Sequence, residues 1–158
     1  SIKAALTGHF VMSTLHTNEA ASAITRLQDM GLESYLVSST VVGIMAQRLV
    51  RRICRECRTE DTGSAELRDY FGVAAHETFY RGAGCGKCFD TGYKGRAMVG
   101  EIIEVTSALR EMITRKPGAE EIRTLAIREG MTPLTQNALA MARAGVTTLE
   151  EVFSVKLE

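Results

Sequence analysis

The chain has 158 residues, of which 45% are hydrophobic and 24% charged, and its 19 basic and 19 acidic side chains leave a formal net charge of zero. That length supports one ordinary core, or a core with a small appendage, and the balanced charge excludes a whole-molecule field drawing it to nucleic acid or an anionic membrane. No run approaches the roughly 18 apolar residues of a membrane span, and the start lacks the basic-then-apolar order of a signal peptide, so the reading is cytosolic.

In chain order, Ser1 to Gly8 reads as the end of a helix closed by a glycine in left-handed geometry. With no initiator Met, that start predicts a piece of a longer protein. Phe10 to Thr14 is apolar on both alternating faces, which predicts a strand buried on both sides of a parallel sheet. Asn18 or Thr17 then caps a helix with apolar positions Ala20, Ile24, Leu27 and Met30, and Gly31 closes it. A second helix is expected over Ser34 to Gln47, with Leu36, Val37, Thr40, Val41, Ile44 and Met45 as its buried stripe. Gln47 to Ile53 alternates apolar with basic residues and reads as extended.

Residues 54–96 change character: they contain all four cysteines, many of the glycines and one predicted helix near Glu66 to Phe71. Regular patterns then resume, with a strand at Met98 to Glu104, a helix capped by Thr106, and another over Glu120 to Arg128 stopped by Gly130. Thr132-Pro133 opens a further helix that Gly145 ends. Thr148 and Glu151 have the spacing of a capping box for a short terminal helix.

Cys54-Arg55-Glu56-Cys57 and Cys85-Gly86-Lys87-Cys88 are two CxxC pairs separated by 27 residues. The two-residue spacing lets each turn present both sulfurs to one tetrahedral ion, for which zinc is the natural occupant, and four thiolates leave no open position for a catalytic water. Two disulfides or four free thiols are the competing reading; a reducing cytosol disfavours the disulfides. Arg48, Arg51, Arg52, Arg55 and Arg58 form a local basic run with two interpretations. It could contact phosphate backbones. It could equally be a solvated or subunit-facing surface, because Glu56, Glu60 and Asp61 interrupt it and stacking aromatics are not interleaved.

Ser13, Thr14, His16 and Asn18 fall where a strand end meets a helix start, the place at which open parallel sheets bind ligands, and they suit an anion such as a nucleotide phosphate. Helix capping or a satisfied core hydrogen bond is the alternative for each alone. His9 lies about 20 Å from His16 in an extended chain, so it either anchors the strand start or reaches the same phosphate only through a bend or a neighbouring subunit.

The phrase TGHFVMSTLHTNEAASAITRLQDMG resembles the histidine-box region of the type II secretion and type IV pilus assembly ATPases, hexameric motors with a RecA-like core. AQRLVRRICREC, GCGKCFDTGYKGR, EIIEV, REGM and GVTTLEEV are similar to the same family in the same order, whereas GRAMVGEII departs from its usual GRxGIYE at Val99-Gly100. The resemblance implies an α/β fold, the C-terminal part of a RecA-like P-loop ATPase core, with a tetracysteine zinc-binding insertion and a C-terminal helical region. It divides the chain into residues 1–53 of the core, the zinc subdomain 54–96, and a strand plus helices over 97–158.

It makes His9, Thr14 and His16 catalytic-site residues, with His16 and Thr14 sensing the terminal phosphate. Ser13, Arg26 and Arg48 become nucleotide contacts, although both arginines also suit ordinary surface ion pairs. Cys54, Cys57, Cys85 and Cys88 become structural zinc ligands, and ATP and magnesium the cofactors of the intact protein. The implied partners are five further copies in a ring, an inner-membrane platform protein and other cytoplasmic-face secretion or pilus components, so the motor is cytoplasmic and peripheral at the inner membrane. No GxxxxGK[ST] phosphate loop occurs in the 158 residues, so this stretch alone is expected to be inactive. A zinc-dependent module binding nucleic acid or a protein partner is the alternative class.

Overall fold

The computed structural model describes residues 2–62, 65–74 and 76–157; Ser1 of the expected first helix lies outside them. The chain divides into two compact units, one of Ser1–Ala46 with Glu101–Pro133 and one of Gln47–Gly100 with Leu134–Glu158.

The first unit begins with α1 (Ile2–Leu6), α2 (Ala20–Asp29) and α3 (Ser34–Thr40). After β4 (Tyr93–Glu104) come α5 (Ser107–Thr114) and α6 (Ala119–Arg128). Ile24, Val37, Ile103, Leu109, Ile113 and Ile122 are fully buried together in one core, each worth about 1.5–3 kcal/mol of burial. The apolar stripe of α2 is as expected at Ala20 and Ile24 but stops before Met30, which is 61% exposed. Polar clamps tie the helices. Gln28 Nε2 donates to Ser34 Oγ and the Ile113 carbonyl, both at 3.1 Å, and Arg110 Nη1 donates to the Ser38 carbonyl at 2.6 Å. Thr106 accepts from the Leu109 N–H as the expected cap of α5.

Two expectations for this stretch fail. Phe10 to Thr14 is not a strand; Phe10 is 83% and Met12 85% exposed. A strand buried on both faces needs paired neighbours and a layer on each side, and none of the described strands pairs with this segment. The helix expected to run to Gln47 ends at Thr40, and β1 spans Gly43–Ile53. The β-branched pair Val41-Val42 and Gly43 disfavour another helical turn. The Val42 carbonyl instead accepts from the Val105 N–H at 3.0 Å. Met45, expected in the buried stripe, is 50% exposed because it lies on the open face of an alternating strand.

The second unit holds β2 (Arg58–Glu60), which pairs antiparallel with β3 (Tyr80–Gly82), and the helices α4 (Ala65–Phe71), α7 (Leu134–Arg143) and α8 (Leu149–Leu157). Its core joins Val50, Phe79, Val99, Leu134, Ala138, Leu149 and Val152. Ala138 and Ala142, one turn apart, give α7 a small-residue face that packs on α8. β1 and β4 pair as a two-stranded sheet, and each strand contributes residues to both units. No helix among the described residues is long and apolar enough to cross a membrane.

Candidate functional site

The cysteine pairs sit in two turns built by backbone bonds. β1 delivers the first: the Ile53 N–H donates to the Val146 carbonyl at 3.0 Å and the Cys54 N–H to the Gly92 carbonyl at 2.9 Å. The Ala83 N–H then closes on the Cys57 carbonyl at 2.9 Å. In the second turn the N–H groups of Cys88 and Asp90 both donate to the Cys85 carbonyl, at 3.0 and 3.1 Å, and the Thr91 hydroxyl donates to the Cys88 carbonyl at 2.6 Å. The two ends of the second turn approach so closely that a Cβ at Gly82 would collide with the backbone of Gly92; glycine is required at 82 by space.

The outcome is one four-sulfur cluster. All four Sγ atoms lie within 4.8 Å of one another, and three pairs are separated by 3.9 Å (Cys54 and Cys85), 3.8 Å (Cys57 and Cys88) and 3.7 Å (Cys85 and Cys88). A tetrahedron with metal–sulfur bonds of about 2.3 Å has edges of about 3.8 Å. The four thiols are unbridged, so the competing disulfide reading is not realised. Crowding is visible in their acidities. Burial, with the neighbouring thiols competing for hydrogen bonds, pushes the Cys57 thiol up to about 12. Burial opposes ionisation of Cys88 too, but the backbone N–H of Cys85, 3.2 Å from its sulfur, leads the hydrogen bonds that bring it down to about 7. Once deprotonated, four sulfurs at this spacing could hold one cation among them, and a full sulfur shell would leave it no open position for a catalytic water.

The basic run divides once it is folded. Arg51 stacks on Tyr93 with its guanidinium carbon 4.0 Å from the ring centre, and Arg58 covers Tyr80 at 3.7 Å. Arg55 is exposed, while Arg48 and Arg52 are half-buried. Arg51 and Arg58 are thus each set against an aromatic ring of the protein.

The expected phosphate-facing residues lie in the irregular segment between α1 and α2. Ser13, Thr14 and His16 are exposed, and their side chains make no hydrogen bond among the described residues. His9 Nδ1 is 3.1 Å from the Thr7 hydroxyl, which donates to the Ala4 carbonyl at 2.9 Å, so this imidazole is tied to the end of α1. Arg26 is exposed in the last turn of α2. Arg48 lies on β1 in the second unit, whereas the loop and Arg26 belong to the first.

Neither Thr17 nor Asn18 occupies the cap of α2. That position is Glu19, whose carboxylate accepts from Ser22 Oγ at 3.0 Å and faces Arg123 Nε at 3.9 Å. The first N–H of the helix, at Ala20, donates to Glu101 Oε1 at 2.7 Å from a residue 81 positions away. Glu101 is 5% exposed and was not among the residues singled out from sequence. Its signal was present, since Val99, Glu101 and Ile103 alternate on the inward face of β4 and a carboxylate at such a position needs a partner.

A family profile described as type II/IV secretion system protein matches residues 1–154. The chain is 43% identical to the type IV pilus assembly ATPase PilB of Thermus thermophilus, over 99% of this chain and 18% of that protein. It is 42% identical to the type II secretion system ATPase E of Vibrio cholerae, over 100% of this chain and 32% of that protein. With PilB of Myxococcus xanthus it shares 41% identity over 96% of this chain and 28% of the relative. The chain thus spans between about a fifth and a third of the length of the curated relatives it matches.

Proposed function

The chain belongs to the type II/IV secretion system protein family, and from that premise we propose that it is the phosphate-sensing, zinc-stabilised part of a motor ATPase that drives protein export or pilin assembly. The observation that carries the reading is the loop before α2, where Ser13, Thr14 and His16 present hydrogen-bonding groups with no partner among the described residues. Exposed hydroxyl and imidazole groups gathered on one short loop are available to hydrogen-bond an anionic ligand. Since Glu101 already takes the first N–H of α2, the side chains of the loop, rather than the helix start, meet the phosphate.

In this reading His16, with Thr14 beside it, hydrogen-bonds the terminal phosphate of ATP and reports its loss; Ser13, His9 and Arg26 are secondary contacts. Phosphoryl transfer depends mainly on positioning and charge stabilisation, so His16 acts as a sensor and not as a base. Magnesium and the phosphate loop would be supplied from outside these 158 residues, in which no GxxxxGK[ST] occurs. Cys54, Cys57, Cys85 and Cys88 hold zinc, which closes the two turns and fixes the end of β1. Residues 1–53 are part of a RecA-like core, 54–96 the zinc segment, and 97–158 a strand with a C-terminal helical region. The intact motor is a cytoplasmic hexamer working at the inner membrane through a platform protein. The 158 residues alone should not turn over ATP, and a magnesium-dependent phosphate release from the purified chain would contradict the division of labour stated here.

A further inference from the structure

We infer that Glu101 is a positioning residue for the nucleotide-sensing loop, acting through the start of α2; this rests on the sensor reading above. The Glu101 carboxylate, 5% exposed on the inward face of β4, accepts the Ala20 N–H at 2.7 Å. Ala20 is itself fully buried, four residues after His16. The contact therefore pins the point at which the exposed loop ends and the rigid helix begins. Ala20, Ala21 and Ile24 bury the first turns of α2 in the core, and Glu101 adds a polar anchor at that junction. Glu19, the neighbouring cap residue, is held separately by Ser22 and Arg123. A carboxylate at the first N–H also complements the positive end of the helix, so the arrangement stabilises itself without the ligand. A sensor on an exposed, irregular loop gains its geometry from such a fixed end, and a misplacement of about 1 Å at a reacting centre can cost about a hundredfold in rate.

The test separates reach from charge. Glu101→Asp keeps the charge and withdraws the acceptor by about one carbon–carbon bond, roughly 1.5 Å; Glu101→Gln keeps the reach and an acceptor oxygen. In the intact ATPase, Glu101→Asp should lower kcat about tenfold with KM for ATP within about twofold, and should speed amide hydrogen exchange across residues 14–20. Glu101→Gln should stay near wild type in both. Equal exchange in the three proteins, or a Gln variant as slow as the Asp variant, overturns the positioning role. His16→Ala run alongside isolates the premise: faster loop exchange in Glu101→Asp together with full turnover in His16→Ala leaves the anchor in place and removes the sensor.

Discussion

Glu151 holds Arg51 by backbone and side chain at once: its two oxygens accept the Arg51 N–H at 2.7 Å and the guanidinium Nε at 2.9 Å, across 100 residues of sequence. Arg51 lies three residues before Cys54, its carbonyl accepts the Thr147 hydroxyl at 2.8 Å, and Tyr93 beneath its guanidinium reaches Thr148 at 3.0 Å. The start of α8 is thereby fastened to the strand that delivers the first cysteine pair.

Replacing Glu151 by Ala should therefore destabilise the second unit by about 2 kcal/mol, the scale for hydrogen bonds to a charged group. The ion pair itself adds little, since Arg51 is 57% exposed. Urea unfolding followed by a probe on α8 would measure the loss. A shift below about 0.5 kcal/mol, the range of ordinary surface substitutions, would reduce the contact to a surface pairing.

Zinc content gives the second prediction. Purified chain should carry one zinc, and chelation should loosen residues 54–96 while the core around Ile24 and Ile113 in the first unit keeps its exchange protection. Because only thiolates bind, zinc binding should release protons and weaken as pH falls. Retention of all four titratable thiols in freshly purified protein, with no metal, would remove the centre.

Glu77 predicts a pH effect. Its carboxylate is held below the usual range by the Arg143 guanidinium, 2.6 Å away, and by the Ala74 N–H. A carboxyl depressed in the folded state stabilises above its unfolded value, about 4.3, and that contribution disappears as pH falls through the folded value. The melting temperature of wild type should exceed that of Glu77→Gln at pH 7, with the gap narrowing once pH falls below about 4.3 and closing only below the depressed folded value. A constant gap across that range would assign the difference to something other than the ionised carboxylate.

The local grammar of the fold was legible in sequence. Thr106 caps α5, Gly130 and Gly145 close α6 and α7 with positive φ, and Thr148 accepts the Glu151 N–H at the start of α8. The capping box at that start is completed differently, because the Glu151 carboxylate goes to Arg51. Long-range partners are invisible to spacing rules, and Glu101 and Glu151 were missed as anchors for that reason. The four cysteines were legible because the two turns carry their own spacing and a metal needs nothing else. Phe10 to Thr14 misled because an apolar run states a wish for burial without naming its neighbours. Val41 to Met45 fits a helical face as well as a strand, and the β-branched pair before Gly43 decided for the strand.

The proposed sensor role is tested most directly by His16→Ala in the intact protein, comparing ATP turnover with nucleotide affinity. His16 is exposed and makes no hydrogen bond among the described residues, so the substitution should leave folding intact. Turnover should fall by about a hundredfold, as for loss of one transition-state donor, while the dissociation constant for ATP changes by less than about threefold. Unchanged turnover, or a loss confined to ATP affinity, would contradict the assignment of His16 as the residue that reads the terminal phosphate.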